Sequence, residues 1–174
     1  EKPVMTNSGS GNQGITVILP VVVAAEYFGS SREQLVRALA LSNLIAAHIH
    51  YYLGHLSALC GILIAGTGSA SAITYLMGGD YDQVVNTIKT MCSNLTGMMC
   101  DGAKQGCALK VYSGVSAAVQ AALLSMRGIK THNDGIIEDD IERTIRNVGV
   151  IGTAGMEQTD RTILDIMTKK KDLN

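Results

Sequence analysis

The chain has no tryptophan, one phenylalanine and two prolines in 174 residues, with aromatics at 4%. That leaves little of the bulky material that fills sheet faces, while the plentiful Ala, Gly, Ser and Met suit close helix–helix approach. An all-α multi-helix bundle is expected. Charge is also scarce: 14 basic against 15 acidic residues give a net charge of -1, and no basic stripe follows a phosphate backbone, which excludes nucleic acid. No secretory signal is present, so the four cysteines read as thiols in a reducing cytoplasm and not as a disulfide framework. The longest uncharged run extends from Leu56 up to Asp80. It lacks basic flanks and an aromatic belt and is rich in Gly, Ser and Thr, so it reads as a buried central helix and not as a membrane span.

An apolar content of 47% supports one substantial core, so residues 1–174 read as a single helical domain. The chain starts at Glu1 without a methionine and enters a Gly/Ser-rich stretch almost at once, as expected of the C-terminal portion of a longer chain. Thr6 to Gly14, "TNSGSGNQG", reads as a loop feeding an apolar helix that Pro20 kinks or restarts, with a strand ending near Leu19 as the alternative. Ser30 and Glu33 form a capping-box pattern ahead of a helix from about Arg32 to Tyr52. Further helices are predicted from about Leu56 to Leu76, Tyr81 to Leu95, Val111 to Met126, Glu138 to Asn147 and Met156 to Lys169, with glycine-rich joints between them. Glu138, Asp139 and Asp140 would form an acidic first turn favoured by the helix dipole.

Reactive side chains concentrate in "MMCDGAKQGCALK", residues 98 to 110. Cys100 and Cys107 would stand roughly 10 Å apart along a continuous helix, but Gly102 and Gly106 between them favour a loop in which both thiolates converge. Cys60 is the natural third ligand. Three cysteinates without a fourth suit a zinc ion with an outside ligand or an iron–sulfur cluster with one open iron position. The plainer alternative is that all four cysteines are small buried hydrophobes, since no CxxC pair is present. Asp101, Lys104 and Lys110 lie beside the proposed ligands and are candidates for orienting a ligand, balancing charge or moving a proton. Of His48, His50 and His55, the last stands closest to Cys60 in sequence.

"SGSGNQGI", "GHLSALCG", "MMCDGAKQGCALK" and "GTAGMEQTDRTILDIM", in that order and across nearly the whole chain, closely resemble the C-terminal part of the L-cysteine desulfidase and L-serine dehydratase alpha-chain family. The resemblance implies that Cys60, Cys100 and Cys107 hold a [4Fe–4S] cluster and that Cys92 is a free thiol. It implies a β-elimination of sulfide from L-cysteine or water from L-serine, giving pyruvate and ammonia, with iron acting on the leaving group. Ser8, Gly9, Ser10, Gly11, Asn12 and Gln13 correspond to the family's substrate loop, whose backbone N–H groups suit an amino-acid carboxylate. His55 and Lys104 are the candidates for proton transfer. Family members carry an N-terminal region that has no counterpart here, so the expected partners are a small amino-acid substrate, that N-terminal domain and further copies of the chain, in the cytoplasm, with no nucleic acid and no membrane. Two other readings stay open: a non-catalytic helical interaction domain, and a structural zinc domain on the same thiols.

Overall fold

The computed structural model describes residues 3–54 and 57–171. Among them are seven α-helices: α1 (Gly11–Tyr27), α2 (Arg32–Leu53), α3 (Gly61–Leu76), α4 (Tyr81–Leu95), α5 (Cys107–Met126), α6 (Ile141–Gly152) and α7 (Glu157–Lys171), with a short 3-10 turn at Ala154–Met156 before the last. No strand occurs among the described residues beyond isolated bridges at Asn7–Ser10 and Leu59–Met99. The all-α expectation holds.

α3 is the axis of the bundle. Every residue from Ile62 to Thr74 is buried, and α1, α2, α4 and α5 all pack on it. The small residues make this possible: a methyl group on Gly68 would overlap the backbone carbonyl of Ser42 in α2, and one on Gly66 would press on the Gly114 carbonyl of α5. The hydroxyls buried with them return to the helix itself, Thr67 Oγ1 donating to the Leu63 carbonyl at 2.7 Å, Ser71 Oγ to Thr67 at 2.8 Å and Thr74 Oγ1 to Ala70 at 3.0 Å. Their polar groups are therefore satisfied without water. Val17, Ile49, Leu53, Leu63, Cys92 and Val148 belong to the main apolar cluster around this axis.

Several predicted boundaries move, each for a local reason. α1 passes through Pro20 without interruption, so neither the restart nor the strand ending near Leu19 occurs; the turns either side of the proline are anchored by the fully buried Val17 and Val21, and packing outweighs the lost backbone bond. The capping box of α2 belongs to Ser31 and Gln34, not Ser30 and Glu33: Gln34 N donates to Ser31 Oγ at 3.2 Å and Ser31 N to Gln34 Oε1 at 2.8 Å. The Ser30 amide is already committed to the Ala25 carbonyl, closing α1. α3 begins at Gly61 and not Leu56, because residues 58–60 pair with 98–100: Cys60 N donates to the Met98 carbonyl at 2.8 Å and Cys100 N to the Ala58 carbonyl at 2.6 Å. α5 begins four residues earlier than predicted, at Cys107. α6 begins at Ile141, with Asp140 as its cap and not as part of an acidic first turn from Glu138; the Glu138 amide instead donates to Thr144 Oγ1 at 2.9 Å.

One described helix, α5, is long and apolar enough to cross a membrane. Its Ala117, Ala118 and Ala121 pack with Ala70 of α3 and Met91 of α4 in a second apolar cluster.

Candidate functional site

Three helices begin at one place. Ser10 caps α1, Cys60 occupies the cap position of α3, and Cys107 opens α5. Residues of all three ends line a single cavity of about 220 Å³, which includes Ser10, Asn12, Gln13, Cys60, Cys100 and Cys107, with His50 and Leu53 from the end of α2. The first turn of a helix has amide N–H groups without intrahelical partners, and its dipole favours negative charge. Three such ends around one hollow make it a place for an anion or a set of thiolates.

The thiols reach the cavity by different local means. The bridge between Leu59 and Met99 sets Cys60 and Cys100 on two extended segments lying side by side. Cys107 arrives from a tight loop in which Gly102 takes φ of +90°, a conformation costly for any residue with a side chain. Cys107 Sγ lies 3.7 Å from the Gly102 carbonyl, and Cys107 N donates to the Lys104 carbonyl at 2.9 Å. Burial pushes the Cys60 thiol above its ordinary value, the Ile62 amide pulls it back, neighbouring Cys100 and Cys107 raise it and Lys110 lowers it. Among the described residues no three of His, Cys, Asp and Glu are gathered around one metal-ion position.

Asp101 organises the rim. It pairs with the ammonium groups of Lys104 and Lys110, and these hydrogen bonds, Lys104 first, hold its carboxyl down at about 2. Lys110 Nζ also donates to the Met99 carbonyl at 2.6 Å. Burial pulls the Lys110 ammonium down, but the bond to Asp101 and the charges of Asp101, Cys60 and Cys100 raise it more, and its pKa lies above the ordinary value.

The loop ahead of α1 is shaped by Ser8 at φ of +51° and Gly9 at +79°. Asn7 Nδ2 donates to Asn43 Oδ1 of α2 at 2.9 Å, which ties the loop to the bundle. Ser10, Asn12 and Gln13 line the cavity, whereas Ser8, Gly9 and Gly11 do not. Gln13 is 9% exposed, and its Oε1 has no hydrogen-bond partner among the described residues. Lys104 does not line the cavity either, and His55 lies outside the described residues. Cys92 is apart from the other thiols, 1% exposed in the core, where burial pushes its thiol up to about 12. His48 pairs with Glu142 of α6 at 2.9 Å.

Of the three histidines weighed in the sequence, His50 is the one that lines the cavity among the described residues, from the last turn of α2. Gln13, expected in the substrate loop with its neighbours, is buried in the cavity wall, and its Oε1 has no hydrogen-bond partner among the described residues.

Residues 1–165 match the family described as serine dehydratase alpha chain. The chain is similar to a UPF0597 protein of Phocaeicola vulgatus, 56% identical over 170 residues that make up 97% of this chain and 39% of that protein. A UPF0597 protein of Bacteroides fragilis is 56% identical over 169 residues, 97% of this chain and 40% of its own length. One from Clostridium perfringens is 48% identical over 174 residues, 99% and 41%. The chain thus spans about two-fifths of the length of these relatives. No solved structure matches it.

Proposed function

Because the chain belongs to the serine dehydratase alpha chain family, we propose that its thiol-lined cavity is the cofactor and substrate site of a lyase acting on L-serine or L-cysteine. In this reading Cys60, Cys100 and Cys107 hold a [4Fe–4S] cluster, and residues 1–174 are the C-terminal part of a longer cytoplasmic, oligomeric enzyme completed by an N-terminal region.

The observation that carries the proposal is the convergence of those three cysteines on one cavity, beside three helix N-termini. The donor set is all sulfur, the usual ligation of iron–sulfur clusters, and the three thiols line one hollow. When bound, the cluster would supply a Lewis-acidic iron toward the leaving hydroxyl or thiol. The chain's own residues supply the rest. First-turn amides of α1, with Ser10 and Asn12, present donors to the substrate carboxylate. Gln13 Oε1 offers an acceptor for the ammonium group. Buried Leu53 and Leu59 keep that wall of the cavity dry, which strengthens each polar contact.

Proton transfer from the α-carbon is assigned to His55, with His50 as the described histidine on the cavity wall. Lys110, whose positive charge lowers the Cys60 thiol, balances the charge of the thiolates, and Lys104, paired with Asp101 at the rim, is the second group assigned to proton transfer.

The test is anaerobic reconstitution with iron and acid-labile sulfide counted. Cys60→Ser, Cys100→Ser and Cys107→Ser should each abolish iron binding, while Cys92→Ser retains it. In the native chain L-serine or L-cysteine should shift the visible spectrum. Equal iron loss in all four variants, or no cluster in a folded native chain, removes the proposal.

A further inference from the structure

Toward the far ends of α1 and α5 lies a second hollow of about 570 Å³, whose walls are Val23 and Tyr27 of α1 and Val119 and Leu123 of α5, over a floor of Ile73 of α3 and Met77, which caps that helix. No charged side chain lines it. Its walls are open to water: Val23 is 62% exposed, Tyr27 84%, Val119 and Leu123 41% each. An exposed apolar trough between two helices is a surface on which an apolar partner can dock.

The shape limits what can fill it. Val115, Val119 and Leu123 recur every four residues along α5, and Pro20, Ala24 and Phe28 do so along α1, so two ridges run beside each other above a third helix. That is the groove into which a further helix packs its own ridge. Both walls are helical, their backbone bonds are internal, and no edge is offered to a strand, so an occupant must enter with side chains spaced three and four residues apart. A second copy of the chain is a poor occupant. A two-fold contact would set hollow against hollow.

We propose that this groove seats an apolar helix from the portion of the longer family chain that lies outside residues 1–174. The proposal rests on the reading of the chain as part of such an enzyme. Its support is the conjunction of the uncharged trough with the length of the relatives, in which 97% of this chain corresponds to only 39% of the Phocaeicola vulgatus protein.

The experiment uses the Phocaeicola vulgatus protein with its matching segment replaced by this chain, compared with the 174-residue chain alone. Val119→Glu should leave the Tm of the short chain nearly unchanged and lower that of the long one by about 5 °C, while Leu44→Glu, on the exposed face of α2, affects both alike. Carbene labelling of Tyr27 should be strong in the short chain and fall by about five-fold in the long one. Equal Tm losses and equal labelling in both overturn the proposal. A short chain that sediments as a dimer, and that Val119→Glu makes monomeric, overturns it in favour of a second copy. Iron counted on the same samples separates the two readings: a long chain that covers Tyr27 yet binds no iron refutes the cluster and leaves the docking intact.

Discussion

Gln13 lies across the start of α3 so closely that a methyl group on Gly61 would overlap its carboxamide. The contact joins α1 to the Cys60 end of α3, and it involves the far end of a flexible side chain. Gly61→Ala should therefore cost under about 1 kcal/mol of stability but displace Gln13 from the cavity wall and weaken the response of the reconstituted protein to L-serine or L-cysteine. Gly68→Ala meets the Ser42 backbone carbonyl instead, which cannot swing away, and should cost about 2 kcal/mol or more. Urea unfolding of both variants checks the contrast, and equal stabilities would contradict it.

Cys92 makes stability fall in alkali. Its folded-state thiol titrates at about 12 against an ordinary 9.0, so the folded chain holds the proton more tightly than the unfolded one. The contribution is complete below about pH 9 and is lost as pH rises toward 12. Urea midpoints of the native chain should decline over that window, and Cys92→Ala should flatten the decline. Parallel curves for the two proteins would show that Cys92 is not the source.

Asp101 acts in the opposite direction. With its carboxyl held at about 2 against an ordinary 3.8, its contribution is present above the ordinary value and disappears as pH falls through the folded one. Pepsin should cut within residues 98–110 faster as pH drops across that interval. Asp101→Asn should free Lys104 and Lys110 for tryptic cleavage at neutral pH, and unchanged cleavage would mean that the carboxylate does not order the rim.

Asn43 anchors the loop ahead of α1 from outside it. Its Nδ2 donates to the Leu39 carbonyl of its own helix at 2.8 Å while its Oδ1 accepts from Asn7. Asn43→Ala should cost about 1 kcal/mol, leave the iron content unchanged, and raise the concentration of amino acid needed to perturb the spectrum. A loss of iron would place the defect in the bundle instead of the loop.

The helices were legible wherever periodicity and capping agreed, as in α2 and α4, and the burial of α3 followed from its small, uncharged composition. The beginnings of α3 and α5 were not. The first is set by the pairing of residues 58–60 with 98–100, a contact across about forty positions that no local pattern encodes, and the second by the turn in which Cys107 N donates to the Lys104 carbonyl. Ser30 and Ser31 are equivalent in propensity, and the choice between them fell to the Ala25 carbonyl, which claims the Ser30 amide. The cysteine trio could be grouped from the residues, but its spacing alone left the buried-hydrophobe alternative open, and the expectation of a cluster came from the family resemblance. His50 and Gln13 became distinguishable from their neighbours only once the ends of α1 and α2 were seen to face the same hollow.

The bridge between Leu59 and Met99 also closes a loop of about forty residues. Cys60 and Cys100 are adjacent only after the chain between them has folded back as α3 and α4, and closing that loop must precede any reward from the contact. A nascent chain emerging from a ribosome would offer scattered thiols with no shared geometry. Under the proposed cluster reading, loading would then be confined to the mature bundle, and a misfolded copy would be left unloaded.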